Sequence, residues 1–345
     1  MRVLLSGAGG FVGSHVLRHL LMNTDSTIVA PVTFRHKGLP ERIESSICDN
    51  PEWVRRVDIP HWDMTTMPSF SVMHAVNDCD VFMNIASESH VDRSIKDPVG
   101  FTTNNVQLIQ NLIEVAKLVR PEIILQMSTD EVYGPAPEGY AHKEWDPIIP
   151  SNPYSASKAM QEAYCIAAWR TFGLPIVITN TMNIIGELQS PEKFVPMIIR
   201  NLRDDRPIAV HCAPDGTPGS RFYLHARNLA DAWLWLVNRR GENWDLQMYS
   251  DGSSRPSRYH IVGEREVNNV EMVQMIGSAM GKRPGDIQHL IKKTDVHSQR
   301  PGHDLRYALD GTKIKAAGWF PPVALDASLK KSVEWTLDHP EWLDT

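Results

Sequence analysis

Three groups of residues in this chain could do chemistry together. Asp130 and Glu131 are adjacent carboxylates at the end of the apolar run "EIILQMS" (122–128), with Thr129 just before them. Like charges that close raise each other's pKa, an arrangement that costs stability unless a reaction uses it. Tyr154 and Lys158, in "YSASKA", stand four residues apart on an expected helix, so both side chains leave one face. An ammonium beside a phenol favours the phenolate and would lower a pKa of roughly 10 towards a useful range. Such a tyrosine can take a hydroxyl proton while a nicotinamide takes the hydride. Gly7, Gly10 and Gly13 form G-x-x-G-x-x-G directly after "RVLLS". That spacing lets the backbone approach a pyrophosphate, which the N-terminus of the following helix stabilises.

The second strand of such a unit usually ends in an acid that holds the ribose hydroxyls. Here "VTFRHKG" (32–38) places Val32 or Thr33 at that position, with Arg35, His36 and Lys37 behind it. A cation there suits a 2′-phosphate. NAD and NADP are both open, and Arg35 and Lys37 tilt the choice slightly towards NADP.

The elements that must position these groups are legible from their periodicity. "RVLLS" (2–6), "TIVAPV" (27–32), "DVFMNIA" (80–86) and "EIILQMS" read as strands. Phe11, Val12, Val16, Leu17, Leu20 and Leu21 recur at helical spacing, and "NVQLIQNLIEVAKLV" is a long helical stretch. Strands alternating with helices predict an α/β fold with a doubly wound parallel (Rossmann) sheet. After "LPIVITNT" (174–181) the rhythm changes, so residues 1–180 are expected to form the dinucleotide-binding domain. Residues 181–345 would form mainly a smaller substrate-side lobe, with the chain free to cross between the two. "SPEKFVPMIIRNL" reads as a helix, and "SDGSSRPSR" (250–258) as an exposed, inserted loop.

Composition narrows the classes of function. The chain has 345 residues and a formal net charge of −6, which gives no reason to expect a nucleic-acid partner. Its 42% hydrophobic residues suffice for a substantial core. Cys48, Cys79, Cys165 and Cys212 show no C-x-x-C spacing and read as free thiols of a reducing compartment. No apolar stretch approaches the ~20 residues a membrane span needs, and the N-terminus opens on a strand and a turn. A soluble, cytoplasmic protein is expected. No cluster of ligand types accompanies His90, so no metal is expected.

The combination of GAGGFVG, SESHVDRSI (87–95), STDEVYG, YSASK and RPGHDLRYALD (300–310) resembles the extended short-chain dehydrogenase/reductases. Within that group it is most similar to the dTDP-glucose 4,6-dehydratases, over nearly the whole chain. The adjacent Asp-Glu pair is the most specific part of the likeness. The resemblance implies that Tyr154 takes the O4 proton of a nucleotide-bound hexose while hydride leaves C4. The resulting ketone acidifies the C5 hydrogen, which Glu131 removes; Asp130 protonates the departing C6 hydroxyl, and the hydride returns to C6. Base and acid then require two carboxyls whose pKa values are pushed apart.

By the same resemblance Phe11 and Val12 join the glycines and Thr33 at the cofactor, and Asp63 and Met64 fall where the family contacts adenine. Ala86 and Ser87 would lie along the cofactor, and Ser89, His90 and Val91 near the hexose. Asn183, Lys193, Arg221, Arg300 and His303 match nucleotide-anchoring positions, where cations can pair with the diphosphate. The helices expected at 101–119 and 152–172 correspond to those that pair in the family's homodimer. "MNIIG" (182–186) and "RFYLHA" (221–226) depart from the family pattern on the substrate side, which leaves UDP-, GDP- and CDP-sugars open. An epimerase or decarboxylase of the same group would use Tyr154, Lys158 and Glu131 but give Asp130 no task. A non-catalytic NAD(P)-sensing protein would need neither Tyr154 nor Lys158.

Overall fold

Short runs of aliphatic and β-branched residues, buried on both faces, form the strands of a central parallel sheet. The computed structural model describes residues 1–35, 37–241, 247–248, 254–295 and 304–344. Across the sheet the order is Ser257–Ile261, Ile176–Thr181, Ile123–Thr129, Val81–Asn84, Arg2–Ser6, Thr27–Val29 and Val57–Asp58, and every pairing is parallel. The chain therefore moves outward from Arg2–Ser6 and then restarts on its other side at Val81–Asn84. This reversal is the switch point at which doubly wound sheets bind ligands. Ser6 pairs with Asn84, so Gly7 and Ala86 emerge together at that crevice.

Alternate residues of each strand serve opposite faces. Val3, Leu5, Met83 and Leu125 pack with Leu17 and Leu21 of the helix Phe11–Asn23 and with Trp233 of the helix Ala226–Asn238. Leu4, Phe82, Ile124 and Ile178 pack on the other face with Ile109 and Ile113 of the helix Pro98–Val119 and Cys165 of the helix Pro153–Phe172. Truncating a fully buried member such as Ile113 to Ala would cost about 2–5 kcal/mol.

A third apolar cluster joins the helices Phe194–Arg203, Asn269–Ala279 and Leu325–Asp338. A three-stranded sheet, Glu266–Asn268 / Ser220–His225 / Asn183–Ile185, borders it.

One expectation needs correcting. The stretch read as an inserted loop at 250–258 ends in the sheet strand Ser257–Ile261, buried at every position. Arg258 and His260 disguise it in the sequence, because the partners of their side chains, Glu162 and Tyr133, are distant residues. Residues 250–253 lie outside the described residues. Among the described residues no helix is long and apolar enough to cross a membrane.

Candidate active site

The glycine turn is shaped by backbone proximity. Gly7 adopts φ +76°, and the Gly10 N–H donates to the Gly7 carbonyl at 2.9 Å. A Cβ at Gly13 would lie 2.0 Å from that carbonyl oxygen, so the helix starting at Phe11 can close on the turn only without one. The N-terminus of this helix opens into a cleft lined by Gly7, Gly10, Phe11, Val12 and Gly13. A turn of this kind fits a dinucleotide pyrophosphate.

The same cleft runs past Thr33, Arg35, Asp63 and Met64 at one end and past Ala86, Ser87, Ser89 and His90 along its wall. It reaches Tyr154, Lys158 and Lys193 at the other end. Arg35, one of the cations behind the tilt to NADP, is ion-paired with Asp63, and Lys37 is 3.0 Å from Glu192. Asp63 Oδ1 is held by the Thr65 N–H and hydroxyl at 3.0 and 2.7 Å.

Capping fixes where Tyr154 stands. Asn152 and Ser155 form a reciprocal capping box, Pro153 occupies the first turn, and Gly173 ends the helix in the left-handed region. The Tyr154 N–H donates to Ser94 Oγ at 3.1 Å. Lys158, one turn on and buried, donates to the Met127 carbonyl at 2.8 Å and to Gln161 Oε1 at 2.7 Å. Burial pulls its ammonium down to about 8, with the Glu162 charge opposing the fall. The Tyr154 phenol, expected to be lowered by Lys158, is instead pushed above its ordinary value by burial and then by the Glu131 charge. Desolvation and the neighbouring carboxylates set the direction, while Lys158 directs its ammonium to Met127 and Gln161.

Thr129 joins the tyrosine to the acids. It ends its strand in extended conformation, and a single 3₁₀ turn, Asp130–Tyr133, follows. Its hydroxyl donates to Asp130 Oδ1 at 2.9 Å, accepts from the Glu131 N–H at 3.3 Å and hydrogen-bonds Tyr154. Asn152 Nδ2 donates to Glu131 Oε2 at 3.2 Å, so the residue that caps the helix also orients the second acid. Burial pushes Asp130 up to about 6; burial and then the Asp130 charge push Glu131 up to about 7. Both carboxyls are lifted towards neutrality, but Glu131 further than Asp130, so in the free protein Asp130 ionises first, the reverse of the order expected for an Asp130 acid and a Glu131 base. Asp130 Oδ2 is buried without a hydrogen-bond partner, an acid oxygen free to serve a bound molecule.

The remaining expected residues are placed differently. Val91 is buried where the helix Val91–Lys96 begins, and Asn183 hydrogen-bonds Tyr223. Arg221 directs its guanidinium to the carbonyls of Ser220, Asp304 and Leu305 and lies over the Tyr307 ring. From there its charge opposes the rise of both acids. Arg300 and His303 lie outside the described residues. Sequence reasoning missed Ser94, Asn152 and Gln161; only Asn152 carried a local signal, an N-cap before Pro153.

A cluster of metal-ligand types also escaped it. His15 of the helix Phe11–Asn23, Glu187 and His225 converge. His225 Nδ1 accepts the Arg227 N–H at 3.0 Å, so its Nε2 carries the proton and donates to Glu187 Oε2 at 3.0 Å. His15 Nε2 meets the Glu187 carbonyl at 2.9 Å. These bonds already use the nitrogens that would face an ion, and the cluster is a polar staple that ties the helix Phe11–Asn23 to Glu187 and His225.

A dinucleotide turn at a switch point and a Tyr–Lys pair facing a cleft define a family of nucleotide-dependent enzymes. Residues 3–248 match the model of the NAD dependent epimerase/dehydratase family, and the chain belongs to it. It is similar to dTDP-glucose 4,6-dehydratase 1 of Escherichia coli, 31% identical over 100% of this chain and 95% of that one. The low-salt glycan biosynthesis protein Agl12 of Haloferax volcanii is 33% identical over 99% of this chain and 100% of its own. Among solved structures, the dTDP-glucose 4,6-dehydratase DesIV of Streptomyces venezuelae, with NAD and TYD bound, superposes with a TM-score of 0.83. It is 29% identical and covers 99% of this chain and 98% of its own.

Proposed function

We propose that this protein is a sugar-nucleotide 4,6-dehydratase that holds NAD and converts an NDP-hexose, dTDP-glucose first among the candidates, to the NDP-4-keto-6-deoxyhexose. The observation that carries the reading is the buried Asp130–Glu131 pair, joined through Thr129 to Tyr154. An epimerase or decarboxylase of the same family would use Tyr154, Lys158 and Glu131 and leave Asp130 idle. Removing a proton at C5 and the hydroxyl at C6 needs both a base and an acid.

Gly7, Gly10 and Gly13 would hold the dinucleotide, which supplies a hydride acceptor that can give the hydride back. NAD is preferred to NADP because a 2′-phosphate at Arg35 would meet the Asp63 carboxylate already paired there. Tyr154 receives the O4 proton. Since burial opposes its phenolate, that transfer depends on Lys158 staying charged four residues away. Glu131, oriented by Asn152, removes the C5 proton. Asp130, held by Thr129 through one oxygen, delivers a proton from the other to the departing hydroxyl, an assignment that requires the bound sugar to reverse the order in which the two acids ionise in the free protein.

Lys193 lies on the cleft where a diphosphate would need a cation. A homodimer in the cytoplasm completes the reading. Val99, Met160 and Leu118 are 75%, 48% and 68% exposed on the two helices expected to pair, which supports it. The test is incubation with a panel of nucleotide hexoses followed by mass spectrometry. Loss of 18 mass units from one of them is expected; an unchanged mass with every sugar would refute the reading.

A further inference from the structure

Behind the reacting groups lies a buried ion pair that the chemistry above does not use. Glu162 is on the catalytic helix, four residues beyond Lys158 and eight beyond Tyr154, and is fully buried. Its Oε2 accepts from Arg258 Nη2 at 2.7 Å, with the two side chains 0% and 1% exposed. Taking two charges out of water is costly, and such pairs are poor evidence of a stability role. Their hydrogen bonds point to another.

Both ends of the turn that carries the acids are attached to this pair. Glu162 Oε1 accepts from Asn180 Nδ2 at 2.7 Å, and the same nitrogen donates to the Thr129 carbonyl at 3.0 Å. Arg258 Nη1 donates to the Tyr133 hydroxyl at 3.0 Å and to the Glu144 carbonyl at 2.9 Å. Thr129 precedes the turn Asp130–Tyr133, and Tyr133 closes it. The turn is thus gripped at its start through Asn180 and at its end through Arg258.

We infer that Glu162 and Arg258 are positioning residues: together they fix the Asp130–Glu131 turn, and Glu162 sets a buried carboxylate one helical turn beyond the buried Lys158. One carboxylate thereby serves the hydride half and the elimination half of the reaction. The inference rests on the dehydration proposed above.

The charged surroundings of Lys158 set the sign of the test. From its own helix Glu162 and Cys165 face it. From the strand Ile123–Thr129 it meets the Met127 carbonyl. Beyond Glu162 stand Arg258 of the edge strand and, around Arg258, Tyr133 and Glu144. Burial lowers the Lys158 ammonium and Glu162 is the first charge to oppose it, so removing Glu162 lets it fall further. Any step that needs charged Lys158 then fails at lower pH.

The experiment uses the full chain and two variants, Glu162→Gln and the double variant Glu162→Met/Arg258→Met. The double variant replaces the pair by apolar groups of similar volume, a change that proteins often tolerate. Reduction of bound cofactor by dTDP-glucose is followed against pH, with exchange of the C5 hydrogen in heavy water as a second readout. In both variants the alkaline limb of cofactor reduction should move down by about one pH unit or more. C5 exchange should slow at least ~10-fold, with bound cofactor retained, as reacting groups lose alignment. An unmoved limb in a folded variant overturns the inference, whatever the rates. Failure of both variants to fold also overturns it, because the pair is then simply structural. A parental chain that reduces its cofactor but releases no dehydrated sugar refutes the proposed reaction instead. It leaves the limb readable, since Lys158 serves the hydride half in either case.

Discussion

Replacing Asp130 and Glu131 together by Asn and Gln should make the protein more stable at neutral pH. Burial raises the Asp130 carboxyl from 3.8 to about 6, and burial with the Asp130 charge raises Glu131 from 4.5 to about 7. A group that binds its proton more tightly when folded stabilises the fold fully below its unfolded pKa. It loses that contribution as pH rises through its folded pKa. Both acids follow this sign, so the parental protein loses stability between about pH 4 and pH 7. Each rise of about 2 pH units corresponds to about 3 kcal/mol. Part of the Glu131 rise is the Asp130 charge and counts once, which leaves about 3–5 kcal/mol for the pair at pH 8.

For a chain of this size 1 kcal/mol moves the melting temperature by roughly 2 °C. The amide variant should therefore melt about 6–10 °C higher at pH 8, and the gain should vanish by about pH 4. Scanning calorimetry of both proteins from pH 4 to pH 8 measures it. Parallel curves, or a variant less stable at pH 8, would show that the acids are not held against their solvation. The gain in stability comes with lost activity, as expected for groups strained in favour of function.

The two acids should also separate by step. Glu131→Gln should stop exchange of the C5 hydrogen with heavy water while reduced cofactor accumulates. Asp130→Asn should keep that exchange and lose water ~10²-fold more slowly; mass spectrometry of the recovered sugar distinguishes them. Gly13→Ala places a Cβ 2.0 Å from the Gly7 carbonyl oxygen, against roughly 3.5 Å for an ordinary contact. The purified variant should carry only traces of cofactor; full occupancy in an absorbance assay would contradict the turn's role. Denatured parental protein should release NAD, and Arg35→Ala should change its recovery little; recovery of NADP would restore the alternative. Solution scattering at micromolar concentration should give the mass of a dimer.

How much of this could be read beforehand depends on whether the signal is local. The glycine turn, the strand ending in Thr129 and the Tyr154–Lys158 spacing are contiguous patterns, and the structure places each beside the cleft or the acids. The strand Ser257–Ile261 was hidden because its buried Arg258 and His260 answer to Glu162 and Tyr133, 96 and 127 residues away. The His15–Glu187–His225 staple was hidden for the same reason. The direction of the Tyr154 shift was misread because helix spacing shows a cation four residues on but neither the burial nor the two carboxylates that raise the phenol. Arg35 and Lys37 looked available to a phosphate because Asp63 and Glu192, their partners, are distant in sequence.

The central claim is that one hydride leaves C4 and returns to C6 of the same sugar while the acids remove water. Incubating the protein with dTDP-glucose carrying deuterium at C4 tests it most directly. The product should be 18 mass units lighter than the labelled substrate, with the deuterium in the new C6 methyl group. Deuterium returned to C4 of a sugar of unchanged mass would contradict it and assign Tyr154 and Lys158 to an epimerase.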